Sequence, residues 1–186
     1  MYTKNIILEN EAVLLRPIQE ADLPVFLELT ADQDMWRFFT NDLSTMSGLE
    51  EWAKPAFNKE RLQFTIIDKF TGSVVGSSAF GNLSLRDQRV EIGWTWLGKK
   101  YQGMGINGQV KRLMLAYCFE TLDMVRVEFK TDVLNLQARK ALRNIGAIEE
   151  GVLRSHTLMT KDRRRDTIYY SILIQEWPHV KRENDW

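Results

Sequence analysis

The sequence predicts an α/β protein in which about four helices pack on a mixed sheet of about seven strands, in the order β-α-α-β-β-β-α-β-α-β-β. Three strand-like segments follow one another in the middle of the chain, and segments with apolar residues at helical spacing lie before and after them. The sequence contains no repeat and no Pro/Gly/Ser-rich linker, which predicts a single domain over residues 1–186.

Six of the predicted elements lie before residue 98. They are a strand at residues 12–16, helices at 20–30 and 48–58, and strands at 62–67, 74–80 and 89–97. The first strand ends at Pro17, because proline has no N–H to donate to a neighbouring strand. Within residues 89–97, apolar and polar residues alternate with a period of two, which predicts that Glu91 lies on the face opposite Val90 and Trp94.

Five more elements are predicted in the C-terminal half. They are a long helix through residues 110–122, a strand at 125–130, a helix at 135–145, and strands near 148–156 and 167–174. The helix at 135–145 is closed by Gly146, because glycine accepts the backbone conformation that commonly ends a helix. The last two strands flank a basic connection at residues 161–165. This connection is either a solvated hairpin or a group that holds an acidic substrate.

Composition and charge exclude several classes of protein. The 25 Lys and Arg residues balance the 25 Asp and Glu residues, so the formal net charge is +0 and no overall field attracts nucleic acid or an anionic membrane. The one cysteine, Cys118, cannot form an internal disulfide, and two histidines cannot complete a Cys/His zinc site, so we expect no metal. No apolar run approaches the roughly 18 residues of a membrane span, and residues 1–6 lack the pattern of a signal peptide. We therefore expect a cytoplasmic protein that binds neither nucleic acid nor membranes.

The most informative segment is the glycine-rich loop at residues 103–108, between a strand and the long helix. Its letters match the G-x-G-x-x-G fingerprint of nicotinamide-dependent oxidoreductases. That interpretation is disfavoured, because polar residues 98–102 separate the glycines from the strand and three consecutive strands precede them. Glycines that open a helix can still point several backbone N–H groups at one pyrophosphate. The alternative is that they only let the chain turn.

Residues 102–107, Q-G-M-G-I-N, resemble the Q/R-x-x-G-x-G/A acetyl-CoA loop of the GNAT N-acetyltransferases. Further blocks resemble the RimJ/RimL-type branch of that family and occur in its order over nearly the whole chain. They are Leu15, Arg16 and Pro17 with Asp22, residues 135–138, residues 144–154, and residues 166–173 with Glu176 and Trp177. The resemblance implies a GNAT-like, mostly antiparallel sheet and acetyl-CoA as cofactor. It also implies N-acetyltransferase activity on a primary amine, either a protein N-terminus or a small molecule.

The resemblance also implies which residues contact acetyl-CoA. In this family the fourth strand parts from the fifth, and its free N–H groups hold the thioester and the pantetheine arm. These positions correspond to residues 94–97, and the glycine loop would hold the pyrophosphate. The expected cofactor-binding residues are Trp96, Leu97, Gln102, Gly103, Met104, Gly105, Ile106, Asn107, Gly108 and Asn135. Asn135 also suits a plain helix N-cap, and the two roles can hold together.

Acetyl transfer needs a base for the amine, a donor for the oxyanion and a way for the thiolate to leave. Glu91 is the expected catalytic residue, drawing the amine proton directly or through water; otherwise it is a solvated strand residue or the partner of an arginine. Leu142 stands where many family members carry a tyrosine that gives a proton to the thiolate, so the general acid stays open. Leu142 would then be an apolar wall beside the sulfur. Two smaller departures are Ala138 in place of a common serine and Asn107 in place of the last Gly or Ala of the loop.

Three aromatic residues of the N-terminal half, Trp36, Phe39 and Trp52, either wall the acceptor pocket or pack in the core under the first two helices. His156 is either a second proton relay or a structural residue. The competing function is a catalytically silent acyl-CoA-binding sensor or partner domain on the same fold, for which the missing tyrosine is the one argument. The sequence names neither the acceptor amine nor the oligomeric state, and a homodimer is one option.

Overall fold

The computed structural model describes residues 6–186, so most of the segment examined for a signal peptide lies outside the described residues. The strands are β1 (Leu8–Glu9), β2 (Val13–Pro17), β3 (Leu62–Asp68), β4 (Val74–Ser84), β5 (Arg89–Leu97), β6 (Arg126–Asp132), β7 (Ile148–Leu158) and β8 (Arg164–Leu173). The helices are α1 (Leu23–Thr30), α2 (Met46–Phe57), α3 (Ile106–Ala116), α4 (Leu136–Asn144) and α5 (Trp177–Glu183). A π-helical turn, Tyr117–Thr121, extends α3. Within residues 6–186, no helix has the length and apolar character that crossing a bilayer requires.

All eight strands form one sheet, in the order β1-β2-β3-β4-β5-β6-β8-β7. Every neighbouring pair is antiparallel except β5 and β6, which are parallel. The predicted α/β class and mostly antiparallel sheet are therefore confirmed, with one more strand and one more helix than expected. The additional elements are β1, which has two residues, and α5, which has seven. Both are too short for hydrophobic periodicity to detect.

The two faces of the sheet carry separate clusters of buried apolar side chains. The first cluster lies against α3, α4 and α5 and includes Val90 and Ile92 of β5. It also contains Cys118, where burial raises the pKa of the thiol, as expected for a core cysteine. The second cluster lies under α1 and α2. Trp96 of β5 is central to it and meets Phe26 edge-to-face, with ring centroids 4.9 Å apart.

Strand β5 does not keep the alternation that its sequence predicts. Trp94 has a left-handed φ of +51°, and the register with β4 shifts between Ser77 and Ala79, which marks a β-bulge. The bulge turns Trp94 toward the second cluster, whereas Val90 lies in the first. The prediction that these two residues share a face is therefore wrong, because one extra residue in a strand reverses the faces beyond it.

A partly buried ion pair joins β2 to the start of α1. The two terminal nitrogens of Arg16 donate to the carboxylate of Asp22 at 2.8 and 2.6 Å. The Thr65 hydroxyl of β3 donates to the same carboxylate at 2.6 Å, and the Gln19 backbone N–H does so at 2.9 Å. Burial by itself raises the pKa of Asp22, but the hydrogen bonds from Arg16 and Thr65 outweigh it, so the pKa lies below its ordinary value.

We expect Asp22→Asn to lower the free energy of unfolding by about 1.5 kcal/mol at neutral pH, because Arg16 loses its charged partner. A carboxyl whose pKa is depressed by folding stabilises fully above the unfolded value of about 3.9, and this stabilisation disappears as pH falls through the folded value. The variant should therefore lose less stability on acidification than the wild type. Urea denaturation over roughly pH 2 to 7 measures this, and equal pH slopes for the two proteins would contradict it.

Candidate active site

The parallel strands β5 and β6 separate after a short junction. They are paired at Arg89 with Arg126, at Val90 with Val127 and at Glu91 with Glu128. Within residues 6–186 the two strands have no further registered pair, while β6 continues alongside β8 as far as Asp132. The second half of β5 therefore leaves its β6-facing edge open. This edge borders a cleft of about 1070 Å³.

The β-bulge lies on this open part of β5. Its Trp94 ring is covered by the Arg61 guanidinium, 4.8 Å from the ring centroid, and the same guanidinium lies 5.4 Å from the Trp52 ring. Burial lowers the pKa of Arg61 to about 10. On the other side of the strand, Thr95 contacts Ser78 of β4, with 2.8 Å between the hydroxyl oxygens. The bulge is thus held from both faces of the sheet.

The glycine loop opens α3 at the edge of the same cleft. Gly103 and Gly105 have φ of +77° and +81°, and Gly105 is the N-cap of α3. A Cβ atom at either position would meet no described atom within 4 Å, so the backbone faces open space. The side-chain amide of Gln102 donates to the Leu97 carbonyl at 3.0 Å, which attaches the loop to the end of β5. Left-handed glycines and a helix N-terminus are an arrangement that binds phosphate groups.

Glu91 lies at the point where the strands separate, and its side chain is only 8% exposed. One carboxylate oxygen accepts hydrogen bonds from Lys130 Nζ and Asn82 Nδ2, each at 2.6 Å. Burial by itself lowers the pKa of Lys130, but the hydrogen bond and charge of Glu91 outweigh it, so the pKa is raised. Lys130 therefore stays charged and pairs with Glu91 inside the cleft.

The basic connection between β7 and β8 joins two antiparallel strands and is only partly solvated, with Asp162 and Arg164 exposed. Arg163 pairs with the fully buried carboxylate of Asp132. Arg165 lines the cleft and donates to Thr167 Oγ1 at 2.9 Å. Burial lowers the pKa of Arg165, although nearby acidic groups, Asp132 foremost, partly oppose the shift. His156 also borders the cleft, and its Nδ1 lies 3.1 Å from Thr167 Oγ1.

Helix α4 contributes a polar N-terminus and an apolar side chain to the cleft. The Asn135 side chain accepts a hydrogen bond from the Ala138 backbone N–H at 3.1 Å, which confirms that it is an N-cap. Leu142 lies two turns further along, is 8% exposed, and belongs to the first core cluster while also lining the cleft.

The structure gathers most of the residues that the sequence nominates around this cleft. Those that line it are Glu91, Trp96, Leu97, Gln102, Gly103, Gly105, Ile106, Asn107, Asn135, Trp36 and Phe39. Met104, Gly108 and Trp52 do not line it. Trp52 lies inside the second core cluster, so it is left out of the proposed acceptor wall. Trp36 is also almost fully buried and contributes to both the core and the cleft.

Sequence reasoning missed several polar residues of the cleft, among them Asn82, Lys111 and Lys130, whereas Arg165 belongs to the basic connection already considered for an acidic substrate. Lys111 carried a detectable signal, because it falls on the apolar side of α3 beside Val110 and Met114, where a lysine is unusual. The partners of Asn82 and Lys130 come from another strand, so no local pattern reveals them. Among residues 6–186, no cluster of three or more His, Cys, Asp or Glu side chains is arranged to hold a metal ion.

The donor set of the cleft fits the parts of acetyl-CoA. The glycine loop offers backbone N–H groups to a pyrophosphate, and the open edge of β5 offers hydrogen-bonding groups to an amide-containing arm. Asn107 adds a buried carbonyl oxygen, Oδ1, that has no hydrogen-bond partner among the described residues. A buried acceptor of this kind normally finds a partner, so a ligand with an N–H group or a hydroxyl suits the site.

Comparison with known proteins agrees with this geometry. Residues 12–148 match the acetyltransferase (GNAT) domain family. The chain is 29% identical over 179 residues to a Bacillus subtilis (strain 168) protein provisionally named as the ribosomal N-acetyltransferase YdaF, with 92% of this chain and 97% of that protein covered. This relative supports the RimJ/RimL-type branch.

Two crystal structures have the same fold. One, of a provisionally named acetyltransferase from T. thermophilus, is 31% identical with a TM-score of 0.89 and covers 100% of this chain and 98% of that chain. The other is spermidine N-acetyltransferase from Vibrio cholerae in complex with CoA and spermine. It is 19% identical with a TM-score of 0.75 and covers 91% of this chain and 99% of that chain. Because the family match spans well over half of the sequence, the chain belongs to the GNAT acetyltransferase family.

Proposed function

We propose that this protein transfers the acetyl group of acetyl-CoA to a primary amine by direct attack of the amine on the thioester. The observation that carries the proposal is the opening between β5 and β6, because the glycine loop, the open strand edge and the buried carboxylate of Glu91 all border the one cleft there. Family membership supports acetyl transfer as the reaction class.

Binding is assigned to the loop and to the open strand. The N–H groups at Gly103 and Gly105 and the N-terminus of α3 would hold the pyrophosphate. The β6-facing edge of β5 beyond Glu91 would hold the pantetheine arm and give a hydrogen bond to the thioester oxygen. Donors of this kind, fixed before the reaction, are worth about 2.7–4 kcal/mol when charge develops on that oxygen.

Glu91 is assigned the amine proton. Its carboxylate lies inside the cleft, and both of its hydrogen bonds go to one oxygen, Oε2. The second oxygen is therefore available to the amine or to a water between them. Lys130 and Asn82 hold the carboxylate in place, so its orientation does not have to be established during the reaction.

The charges of the cleft favour a monoamine over a polyamine as acceptor. Of the three carboxylates that line it, Asp32 is paired with Lys99 at 2.7 Å and Glu91 with Lys130 at 2.6 Å. Arg165 adds a further positive charge. A ligand with several ammonium groups would therefore meet little unpaired negative charge. The α-amino group of a protein N-terminus, or a small monoamine, suits this cleft better, in keeping with the name of the Bacillus subtilis relative.

An acetyl-transfer assay tests the proposal. The purified protein is incubated with acetyl-CoA and a panel of N-terminal peptides, small monoamines and polyamines, and free thiol is followed. We expect amine-dependent thiol release that is larger for monoamines and peptides than for spermidine. Tight CoA binding by calorimetry with no turnover on any amine would favour the acyl-CoA sensor instead. No CoA binding at all would overturn both.

Leu142→Ala should raise hydrolysis of acetyl-CoA in the absence of amine severalfold, because the shortened side chain admits water beside the thioester. The free energy of unfolding should fall by about 2 kcal/mol, since Leu142 is buried in the first core cluster. Thiol release without acceptor measures the first effect, and denaturation the second. Leu115→Ala is a matched control in the same cluster but outside the cleft, and it should destabilise without raising hydrolysis. Unchanged background hydrolysis in Leu142→Ala would show that Leu142 has only a packing role.

A further inference from the structure

A lysine is buried at the base of the opening between β5 and β6. Lys111 belongs to α3, is 5% exposed, and lines the same cleft as Leu142 and Asn107. Its Nζ donates to Thr95 Oγ1 of β5 at 2.8 Å and lies 5.8 Å from the centroid of the Phe129 ring of β6. The ammonium therefore lies between the two strands where they have separated.

The hydrogen bonds of Lys111 leave part of its capacity unused. A lysine ammonium has three N–H donors, and the bond to Thr95 is the single one formed among residues 6–186. Thr95 is itself held by Ser78 at 2.8 Å and donates to the Gly93 carbonyl at 3.3 Å. Asn107, one helical turn before Lys111, lines the same cleft and has a buried Oδ1 without a hydrogen-bond partner among the described residues. Both side chains on this face of α3 therefore retain capacity for a ligand.

Within the part of the chain that the structure describes, no acidic side chain pairs with Lys111. Burial is the cause that lowers the pKa of Lys111, to about 7, and no charged neighbour contributes. The ammonium contacts Thr95 and lies near the Phe129 ring, and both side chains are uncharged, as is Ser78, which bonds to Thr95. The titratable groups elsewhere on the cleft lining are Asp32, Asp34, Glu91, Lys99, Tyr101, Lys130, His156 and Arg165. A buried lysine without a carboxylate partner costs stability, which favours a functional reason for its presence.

We propose that Lys111 donates the proton to the departing thiolate, the task for which Leu142 leaves the usual tyrosine position without a donor. This rests on the proposed function, because it assigns a further residue of the same reaction. In the step, the C–N bond between the acetyl carbon and the amine forms and the C–S bond breaks, with its electron pair moving to sulfur. Lys111 gives one proton from Nζ to that sulfur and becomes a neutral amine. The amine substrate gives its own proton to Glu91, and exchange with water restores both groups.

The acidity of Lys111 suits this role. An ammonium with a pKa of about 7 and a thiol with an ordinary value of about 8.5 are close enough in acidity for the proton to pass from nitrogen to sulfur at little cost. At neutral pH about half of the lysine is protonated, and it regains its proton readily. An unburied lysine, with a pKa of about 10.4, would hold its proton against a thiolate.

The test measures the ionisation of CoA in its complex and needs no amine. With saturating CoA, the ultraviolet absorbance of the thiolate is titrated for the wild type and for Lys111→Met. A neighbouring ammonium favours the thiolate. The pKa of the bound thiol should therefore be at least one unit lower in the wild type than in the variant, which is a tenfold difference in acidity. Methionine keeps length and apolar volume, so the variant should fold at least as stably as the wild type. Lys140→Met, an exposed position of α4 outside the cleft, is the matched control and should titrate like the wild type.

A second variant separates direct action from an effect on the bulge. Thr95→Val removes the hydrogen-bond partner of Lys111 but keeps the ammonium. The pKa of the bound thiol should therefore stay as low as in the wild type. If Thr95→Val raises the thiol pKa as much as Lys111→Met does, Lys111 acts only by holding β5, and the proposal is wrong. Equal thiol pKa values in wild type and Lys111→Met, with CoA bound to both, would also overturn it. That result would leave the proposed acetyl transfer standing, whereas failure of the wild type to bind CoA would overturn both.

Discussion

Glu91→Gln should lower kcat about 100-fold at neutral pH while the KM for acetyl-CoA changes less than about twofold. Glutamine keeps the shape of the side chain but cannot take a proton from the amine. Part of the loss should return as pH rises, because an α-amino group, with a pKa of about 7.7–8, then loses its proton unaided. Thiol release measured with a peptide acceptor over roughly pH 6 to 9 gives the profile.

Glu128→Gln provides the matched control for this experiment. Glu128 is registered directly beside Glu91 in the parallel pair, and it is also largely buried. It pairs with Arg126 at 2.9 Å and does not line the cleft. The control should therefore keep kcat within about threefold of the wild type. If Glu91→Gln keeps the wild-type kcat across the pH range, the base is another residue or water. Equal losses in both variants would indicate structural damage.

Gly105→Val should weaken CoA binding about 100-fold. Two effects of similar size contribute. A β-branched residue at φ +81° carries about 1–3 kcal/mol of backbone strain. If the loop shifts to relieve that strain, a displaced N–H loses its charge-assisted hydrogen bond to the phosphate, which is worth about 1.5–3 kcal/mol. The substituted side chain would also project into the open space where the phosphates are proposed to lie. Calorimetry with CoA measures the dissociation constant directly.

Gly72→Val separates strain from binding. Gly72 lies in the turn between β3 and β4 with φ +69°, and a Cβ there also meets no described atom within 4 Å. The control should therefore lose stability to a similar extent while binding CoA as the wild type does. A normal dissociation constant in folded Gly105→Val would remove the glycine loop from the proposed binding site. Equally weak binding in both variants would attribute the effect to strain alone.

The sequence predicts best the helices and strands in which a regular pattern of apolar and polar residues extends over many positions. The strand predicted at residues 89–97 coincides with β5. Gly146, with φ +86°, follows the end of α4, as predicted for the helix at residues 135–145. Periodicity is sufficient to locate these elements, although in β5 it does not reveal that the strand changes faces at the bulge. β1 and α5 escape prediction because two and seven residues complete less than two repeats of their patterns.

The candidate site is predictable where chemistry depends on adjacent residues and not where it depends on distant ones. The glycine loop is contiguous, so its letters alone suggest a phosphate site. The bulge at Trp94 is packed against Arg61, which lies just before β3 and far away in sequence, whereas the local sequence of β5 still alternates. Lys130 is 39 positions away from Glu91, and only the fold brings their charged groups together. The pairing of Lys111 with Thr95 likewise joins a helix to a strand across the glycine loop.

The three-pair junction between β5 and β6 also has a consequence for cooperativity. Strands β1 to β5 form one antiparallel ladder and β6 to β8 form another, and the direct hydrogen bonding between them is confined to that short stretch. We therefore expect the least protected amides of the sheet along this boundary, where the two ladders are joined mainly by the side chains of the first core cluster. A molecule that bridges this boundary would couple the two ladders and raise the protection of these amides.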